Sequence, residues 1–501
     1  MSKNVDKYLY KQMDADAGIQ HNFHKTKIVA TVGPACEKYE QLLELVKTGV
    51  NVFRLNFSHG SHENKLEIIQ NIRKINLEEP YNVAILGDLQ GPKLRVGKIE
   101  NDKMLIEPGD LLTFTSTEKV VGNKEKIYVS YPNLHNDVAP GEKILIDDGK
   151  IEVIVTDVNK ISGDVKVRVT YGGYLLPNKG VNLPDTNISL PALTEKDLTD
   201  LEFILENELD WVALSFVRKA EDIIDLKRRT QLKGSKIKVM SKIEMPSAME
   251  DLRNIVNESD GVMVARGDLG VELPVEKVPM AQKEIIRKCI HRSKPVIVAT
   301  QMMESMMDRT KPNRSEITDV ANAVLEGADA VMLSGETAMG NHPALVVETM
   351  RKIIMEVERT EYHYDRGNDL KVIAHSPTIL SDAISYNACK IAQEVRADAL
   401  IGMTQSGETA FRISSYRPKT PLYIFTKEKM LVNQLSLSWG VRAFFYEEEE
   451  SLDEIIFDQI EILRERKFIK EGNIVVNTGS TPVKEHLPTN ILKITKVGPG
   501  K

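Results

Sequence analysis

Eight short apolar runs, each followed by a stretch of helical periodicity, constrain this 501-residue chain more than any other feature. They are KIVATVG (27–33), NVFRLNFS (51–58), VAILGD (83–88), WVALSF (211–216), KIKVMSKIE (236–244), GVMVARGD (261–268), PVIVATQ (295–301) and ADAVMLSG (328–335). Nearly continuous apolar character marks parallel strands buried on both faces. Segments between them, such as YEQLLELVKTG, carry apolar residues at helical spacing with polar remainders. Strand and helix alternating eight times predict an α/β fold, a (β/α)8 TIM barrel.

Between Gly97 and Leu190 the helical rhythm stops. Turn signals at EPGD, APGE and DDGK separate runs such as KILI, IEVIV and VKVRVT, which predicts a small β-barrel domain inserted after the third strand. Beyond about Thr360 a second α/β rhythm begins, with candidate strands at 397–404, 421–426, 441–446, 472–479 and 491–497. It reads as a separate C-terminal α/β domain with an open sheet. The expected division is an N-terminal extension (1–22), the barrel (23–92 and 190–360), the inserted β domain (93–189) and the C-terminal domain (361–501).

Cys36, Cys289 and Cys389 fall in no CxxC or metal-ligand spacing, so neither a disulfide framework nor a zinc site is expected. The opening MSKNVDKYLY lacks the apolar core of a signal peptide, and no uncharged apolar run approaches the ~20 residues of a membrane span. A cytoplasmic setting with no membrane partner follows. The net charge of −7 argues against nucleic acid as the main partner. Any anion site has to be a local basic pocket in an acidic body.

In a (β/α)8 barrel the chemistry sits at the C-terminal ends of the strands. Here those ends carry Arg54, Asn56, Ser58 and His59 (second), Asp88, Lys93 and Arg95 (third), Lys242 and Glu244 (fifth), and Arg266 and Asp268 (sixth). The last two carry Thr300 and Gln301, then Ser334–Thr337. Any one of these alone is more often a salt bridge or a helix cap. Acids and cations converging on one rim are harder to dismiss, because unpaired buried charge is costly. A bound anion together with a divalent cation reconciles them. Glu244 and Asp268, hard carboxylates on neighbouring strands, suit Mg²⁺, with Mn²⁺ the alternative. The competing reading is a carboxylate pair held by Lys242 and Arg266. Arg54, Arg95 and Lys242 are candidate phosphate ligands. A metal flanked by cations is the apparatus of phosphoryl transfer. No GxxxxGK[ST] occurs, so this is not a P-loop enzyme.

From about Lys25 to the C-terminus the chain resembles the pyruvate kinase family. TKIVATVGPA, FRLNFSHG, GPKLRVG, KGVNLP, SKIE, MVARGDLGVE, ATQMMESM and DVANAVLEGADAVMLSGETA carry the resemblance, in order. It implies a barrel, a mobile β lid and a C-terminal regulatory domain, and a homotetramer. It also implies phosphate transfer between phosphoenolpyruvate and ADP, forming pyruvate and ATP. By position, Arg54 is expected to bind the phosphate in transit and Lys242 to stabilise it. Glu244 and Asp268 are expected to hold Mg²⁺, and backbone amides at Gly267 and Asp268 to receive the substrate carboxylate. Thr300 is expected near the carbon that gains a proton, ordering a water relay because a threonine hydroxyl is too weak an acid. Ser334 and Glu336 join the substrate-binding candidates. Asn56, His59, Arg95 and Lys179 are expected along the nucleotide, with Asp148 approaching from the lid.

Two departures matter. Members of the family that need K⁺ usually carry a glutamate where this chain has Lys93, and a threonine where it has Leu89. Asn56, Ser58 and Asp88 remain. Lys93 therefore reads as a built-in ammonium replacing K⁺, which is then not required; the bland alternative is a solvated hinge lysine. The second is TQSGETAF in the C-terminal domain. Thr404, Ser406, Gly407 and Thr409 there make either a nest for a phosphorylated effector or a plain helix cap. Glu408 and the loop GSTPVKEHLPTN depart from the family pattern and leave the effector open.

Overall fold

The computed structural model describes residues 23–361, 364, 378–447, 451–485 and 487–499; the expected N-terminal extension lies outside them. Eight of its strands are β1 (Lys27–Thr31), β2 (Val52–Asn56), β3 (Ala84–Asp88), β12 (Trp211–Leu214), β13 (Lys238–Ile243), β14 (Gly261–Ala265), β15 (Val296–Ala299) and β16 (Ala330–Leu333). They close into a parallel barrel in the order β1-β16-β15-β14-β13-β12-β3-β2, one strand from each expected run. The period of two explains why the runs are apolar throughout. Val29, Val52, Leu86, Trp211, Met240 and Met263 fill the barrel interior. Their chain neighbours Ile28, Phe53, Ile85, Val212, Val239 and Val262 face the surrounding helices.

Local chemistry sets the helix limits. The helix Tyr39–Thr48 buries Leu42, Leu45 and Val46 and ends at Gly49, whose φ of 138° excludes a side chain without strain. Its N–H caps the carbonyls of Leu45 and Val46. After the insertion, a reciprocal Thr194–Asp197 capping box restarts the barrel rhythm at the helix Glu195–Glu206.

The inserted domain contains β4 (Met104–Ile106), β5 (Leu111–Thr115), β6 (Ile127–Tyr128), β7 (Lys143–Ile146), β8 (Ile151–Asn159), β9 (Asp164–Tyr171), β10 (Gly173–Leu175) and β11 (Val181–Asn182). Six of them form a sheet ordered β11-β7-β8-β9-β5-β6, and β10 pairs with β4. The edges β11 and β6 do not form a ladder with each other. The incoming chain spans them by isolated bridges, Arg95 to Gly180 and Val96 to Val129. The expected small barrel is thus a six-stranded sheet closed only by that segment.

The C-terminal domain has β17 (Ala399–Met403), β18 (Leu422–Thr426), β19 (Val441–Phe445), β20 (Ile474–Gly479) and β21 (Ile491–Lys496) in the order β19-β18-β17-β20-β21. The first four are parallel and β21 is antiparallel, an open sheet as expected. This domain stoppers the barrel floor. Leu437 packs among the interior side chains. Gln434 donates to the carbonyls of Asp210 and Lys236 and accepts the Trp211 indole N–H through its own carbonyl. Buried Arg417 donates to Asp329 Oδ1 at 3.0 Å and to the Gly327 carbonyl at 2.6 Å.

Asp210, also on the floor, is fully enclosed and accepts the Ile85 N–H at 2.7 Å. Burial pushes its carboxyl up from 3.8 to about 7, against the pull of that N–H and of Arg73. A raised acid stabilises the fold fully below its unfolded value and loses that contribution as pH rises through the folded one. The thermal midpoint of the parent should therefore fall between pH 5 and pH 8. Asp210→Asn should flatten that fall by an amount on the order of 1–4 kcal/mol. An equal slope in both proteins would mean that Asp210 stays ionised.

Candidate active site at the barrel rim

The upper ends of β2, β3, β12 and β13 bring four charges together out of water. Lys242 Nζ lies 2.8 Å from Glu244 Oε1 and 3.4 Å from Asp88 Oδ1. Arg54 Nε donates to Asp88 Oδ2 at 2.6 Å, and its Nη1 to Thr31 Oγ1 at 3.0 Å. Among the described residues Arg54 Nη2 has no partner, leaving an N–H for a ligand. Burial alone would depress the Lys242 ammonium; Asp88 and Glu244 more than offset it and hold it above the ordinary lysine value. Burial would likewise raise Asp88, but Lys242 and Arg54 bring it below the usual aspartate value. Glu244 is pushed up by burial and by Asp268 despite Lys242 beside it.

That last imbalance bears on a metal. Glu244 Oε1 is buried against the Lys242 ammonium at 2.8 Å. Glu244 Oε2 is held by the Phe216 N–H at 2.6 Å. Among the described residues Glu244 Oε1 therefore rests on the Lys242 ammonium, near a second carboxylate that disfavours its charge; a divalent cation relieves that repulsion. Among the described residues no cluster of three or more His, Cys, Asp or Glu encloses a metal. A Glu244–Asp268 pair leaves positions for substrate and water. Arg266 does not hold this pair. It donates to Asp319 at 2.7 Å, to the Thr300 carbonyl at 2.6 Å and to the Ala299 carbonyl at 3.3 Å.

Arg266 thereby pins the end of β15, where Thr300 and Gln301 take φ of 68° and 54°. A β-branched residue there is strained and persists only when its surroundings impose it. The Thr300 hydroxyl accepts the Gly267 N–H at 2.7 Å and donates to the Ala299 carbonyl at 2.6 Å. The short helix Arg266–Glu272 thus presents Gly267 and Asp268 directly beside Thr300. Glu336 turns inward, accepting the Ser334 N–H at 2.6 Å and the Met303 N–H at 3.2 Å. Among the described residues the buried Ser334 hydroxyl has no hydrogen-bond partner.

Toward the inserted domain, Lys93 Nζ lies 3.9 Å from Asp268 Oδ1, and among the described residues this is its ion pair; Asp88 is not within that reach. Asn56 Oδ1 accepts the Ser58 N–H at 3.0 Å, and the His59 carbonyl accepts from Lys65. Arg95 donates to the Asn178 carbonyl at 2.9 Å, and Lys179 pairs with Asp147 at 2.8 Å. The hydrogen bond from Lys179 is the leading reason that Asp147 lies below the usual aspartate value. Asp147 and Asp148 are both left-handed, φ 54° and 57°, which makes DDGK a tight turn at the domain's edge. Glu272 accepts from Asn182 of β11 at 2.7 Å, joining the domain to the barrel, and burial pushes it up to about 7.

In the C-terminal domain Thr404, Ser406 and Thr409 line a cavity of ≈ 300 Å³. The Thr404 hydroxyl accepts the Gly407 N–H at 3.0 Å and the Ser406 hydroxyl the Glu408 N–H at 3.3 Å, as helix caps do. The Asn477 side chain also lines the cavity, and among the described residues neither of its buried polar atoms has a hydrogen-bond partner. Ser215, Phe216, Thr31 and Asp319 all touch expected site residues, yet none stands out in the sequence. Ser215 and Phe216 end an apolar run, and their roles depend on a corner that brings their polar groups to β3 and β13.

A closed parallel barrel with opposed charges buried at one rim, a β domain beside it and an α/β sheet beneath defines a multidomain (β/α)8-barrel protein of the enzyme type. Residues 23–347 match the family model "Pyruvate kinase, barrel domain", and 382–495 match "Pyruvate kinase, alpha/beta domain". The chain is 41% identical to pyruvate kinase 2 of Synechocystis sp., covering 94% of this chain and 79% of that one. It is 39% identical to the pyruvate kinase of Clostridium acetobutylicum, over 94% and 99%. A crystal structure of a pyruvate kinase from Cryptosporidium parvum superposes with a TM-score of 0.87 at 33% identity, covering 99% of both chains. The chain belongs to the pyruvate kinase family.

Proposed function

We propose that this protein transfers the phosphoryl group of phosphoenolpyruvate to ADP, giving pyruvate and ATP, the last step of glycolysis. The observation that carries the reading is the Lys242 ammonium held between Asp88 and Glu244, with Arg54 on the far side of Asp88. Arg54, fixed by Asp88 and Thr31, offers its remaining N–H groups to the phosphoryl oxygens. Lys242 supplies fixed positive charge where the group crosses between oxygens. Glu244 and Asp268 would hold Mg²⁺, which when bound supplies the charge that neutralises the substrate oxygens. The Gly267 N–H, now on the Thr300 hydroxyl, would turn to the substrate carboxylate. That change frees the hydroxyl to order a water for the proton that the product carbon gains. Asn56, His59, Arg95 and Lys179 would follow the nucleotide, with Asp148 coming over from the lid. Ser334 would complete the substrate side, on a loop that Glu336 braces.

The reading extends to a K⁺-independent member. Support comes from oxygens already supplied with donors: Asn56 Oδ1 by Ser58, both Asp88 oxygens by Arg54 and Lys242, and the Leu89 carbonyl by Ser215. Lys93 adds a tethered cation on the Asp268 side. A homotetramer in the cytoplasm and a phosphorylated effector at Thr404–Thr409 complete the proposal; among the described residues no helix is long and apolar enough to cross a membrane.

The test is ADP-dependent pyruvate formation with Mg²⁺. Lys242→Met should lower kcat on the order of a hundred- to a thousandfold, with a much smaller rise in KM for phosphoenolpyruvate. No pyruvate from the parent would sink the reading, and a change confined to KM would reduce Lys242 to a binding group. In tetramethylammonium buffer the parent should keep nearly full activity without K⁺. Strong activation by added K⁺ would instead make Lys93 a hinge lysine.

A further inference from the structure

The corner at the end of β12 fixes both the cation and the buried carboxylate of the site. Ser215 is 2% exposed. Its hydroxyl accepts from Lys242 Nζ at 2.7 Å, the shortest contact that ammonium makes. A serine hydroxyl has one hydrogen to give. It goes to the Leu89 carbonyl at 2.8 Å rather than to Asp88 Oδ1 at 3.4 Å. The lone pair facing Lys242 is therefore set by the backbone of β3. The next residue, Phe216, takes φ 54° and donates its N–H to Glu244 Oε2 at 2.6 Å.

We propose that Ser215 is a positioning residue for phosphoryl transfer: its hydroxyl, aimed by the Leu89 carbonyl, holds the Lys242 ammonium in place as the charges around it change. The argument rests on what the other two acceptors must do. Glu244 and Asp88 are charged, and their pull on Lys242 changes when a divalent cation or a phosphoryl anion enters. Ser215 is neutral, so neither cancels its hydrogen bond. It is also buried, so water does not replace it when lost. A cation acting on a group in flight has to stay within a few tenths of an ångström of its place, and one misplaced donor is expensive.

The inference rests on Lys242 acting on the phosphoryl group, and the experiment separates the two. Ser215→Ala, Lys242→Met and the double variant are compared for kcat, KM and Mn²⁺ affinity, with thermal midpoints recorded. Ser215→Ala should lower kcat roughly ten- to a hundredfold. Its KM for phosphoenolpyruvate and its Mn²⁺ affinity should stay within about threefold, since Arg54, Glu244 and Asp268 keep their places. Added to Lys242→Met, it should change kcat by less than about twofold, because a residue that acts through Lys242 has nothing left to position. Ser215→Cys, similar in volume but a weaker acceptor, should lie between serine and alanine. A Ser215→Ala enzyme with parental kcat beside a crippled Lys242→Met enzyme overturns this inference alone. So does a Ser215→Ala loss that multiplies in the double variant, or one in which kcat, KM and Mn²⁺ affinity decline together. A Lys242→Met enzyme with parental kcat overturns the underlying reading instead.

Discussion

Burying the Lys242 ammonium between Asp88 and Glu244 is the condition around which the rim is arranged. An isolated ion there would cost several kcal/mol, so each charge is present only because the others are. Arg54 and Lys242 balance Asp88 and Glu244, and Lys93 stands opposite Asp268 in the more open half. The cluster is close to neutral without ligands. A phosphate anion alone, or a divalent cation alone, unbalances it; the two together do not. On the proposed reading the site favours joint occupation by an anion and a divalent cation, as metal-assisted phosphoryl transfer requires.

Holding such a cluster requires a rigid base. The barrel supplies it through parallel strands buried on both faces, with the C-terminal domain pressing Leu437 and Gln434 into the floor. The buried Arg417–Asp329 pair ties that domain to the start of β16. The rim includes strained backbone. Phe216, Thr300 and Gln301 are all left-handed; Phe216 is held by its N–H on Glu244 and Thr300 by Arg266 on its carbonyl. At Phe216 and Thr300 the strained backbone aims a polar group at a neighbouring strand end. The inserted domain meets the barrel at Asn182, which donates to Glu272, at Lys93, which pairs with Asp268, and at the Ile188 carbonyl, which accepts from Arg218.

Much of this was legible in the sequence. Strand alternation is written into eight apolar runs because both faces of each strand are covered, and the change to turn-punctuated β runs announces the insertion. Lys242, Glu244 and Asp268 stood out because charge at the end of an apolar run needs a reason. What stayed hidden depends on neighbours distant in sequence. Ser215 looks like the polar end of a strand; its value comes from the carbonyl of Leu89, 126 positions away. The competing reading gave Arg266 to the Glu244–Asp268 pair, whereas its carboxylate partner, Asp319, lies 53 residues on. Lys93 was read from what it replaces, and only the fold shows that its carboxylate neighbour is Asp268. The TQSGETAF stretch reads the same whether it caps a helix or cradles a phosphate, because both uses need the same hydroxyls and N–H groups.

The coupling between anion and cation at this rim is measurable without turnover. Mn²⁺ binding can be followed by electron paramagnetic resonance, with and without phosphoenolpyruvate, in the parent and in Glu244→Gln. If the buried cluster accepts the two charges jointly, phosphoenolpyruvate should tighten Mn²⁺ at least about tenfold in the parent, and Mn²⁺ should tighten phosphoenolpyruvate by the same factor. Glu244→Gln should bind Mn²⁺ weakly and lose most of that coupling. Mn²⁺ affinity that is indifferent both to phosphoenolpyruvate and to Glu244→Gln would contradict the account.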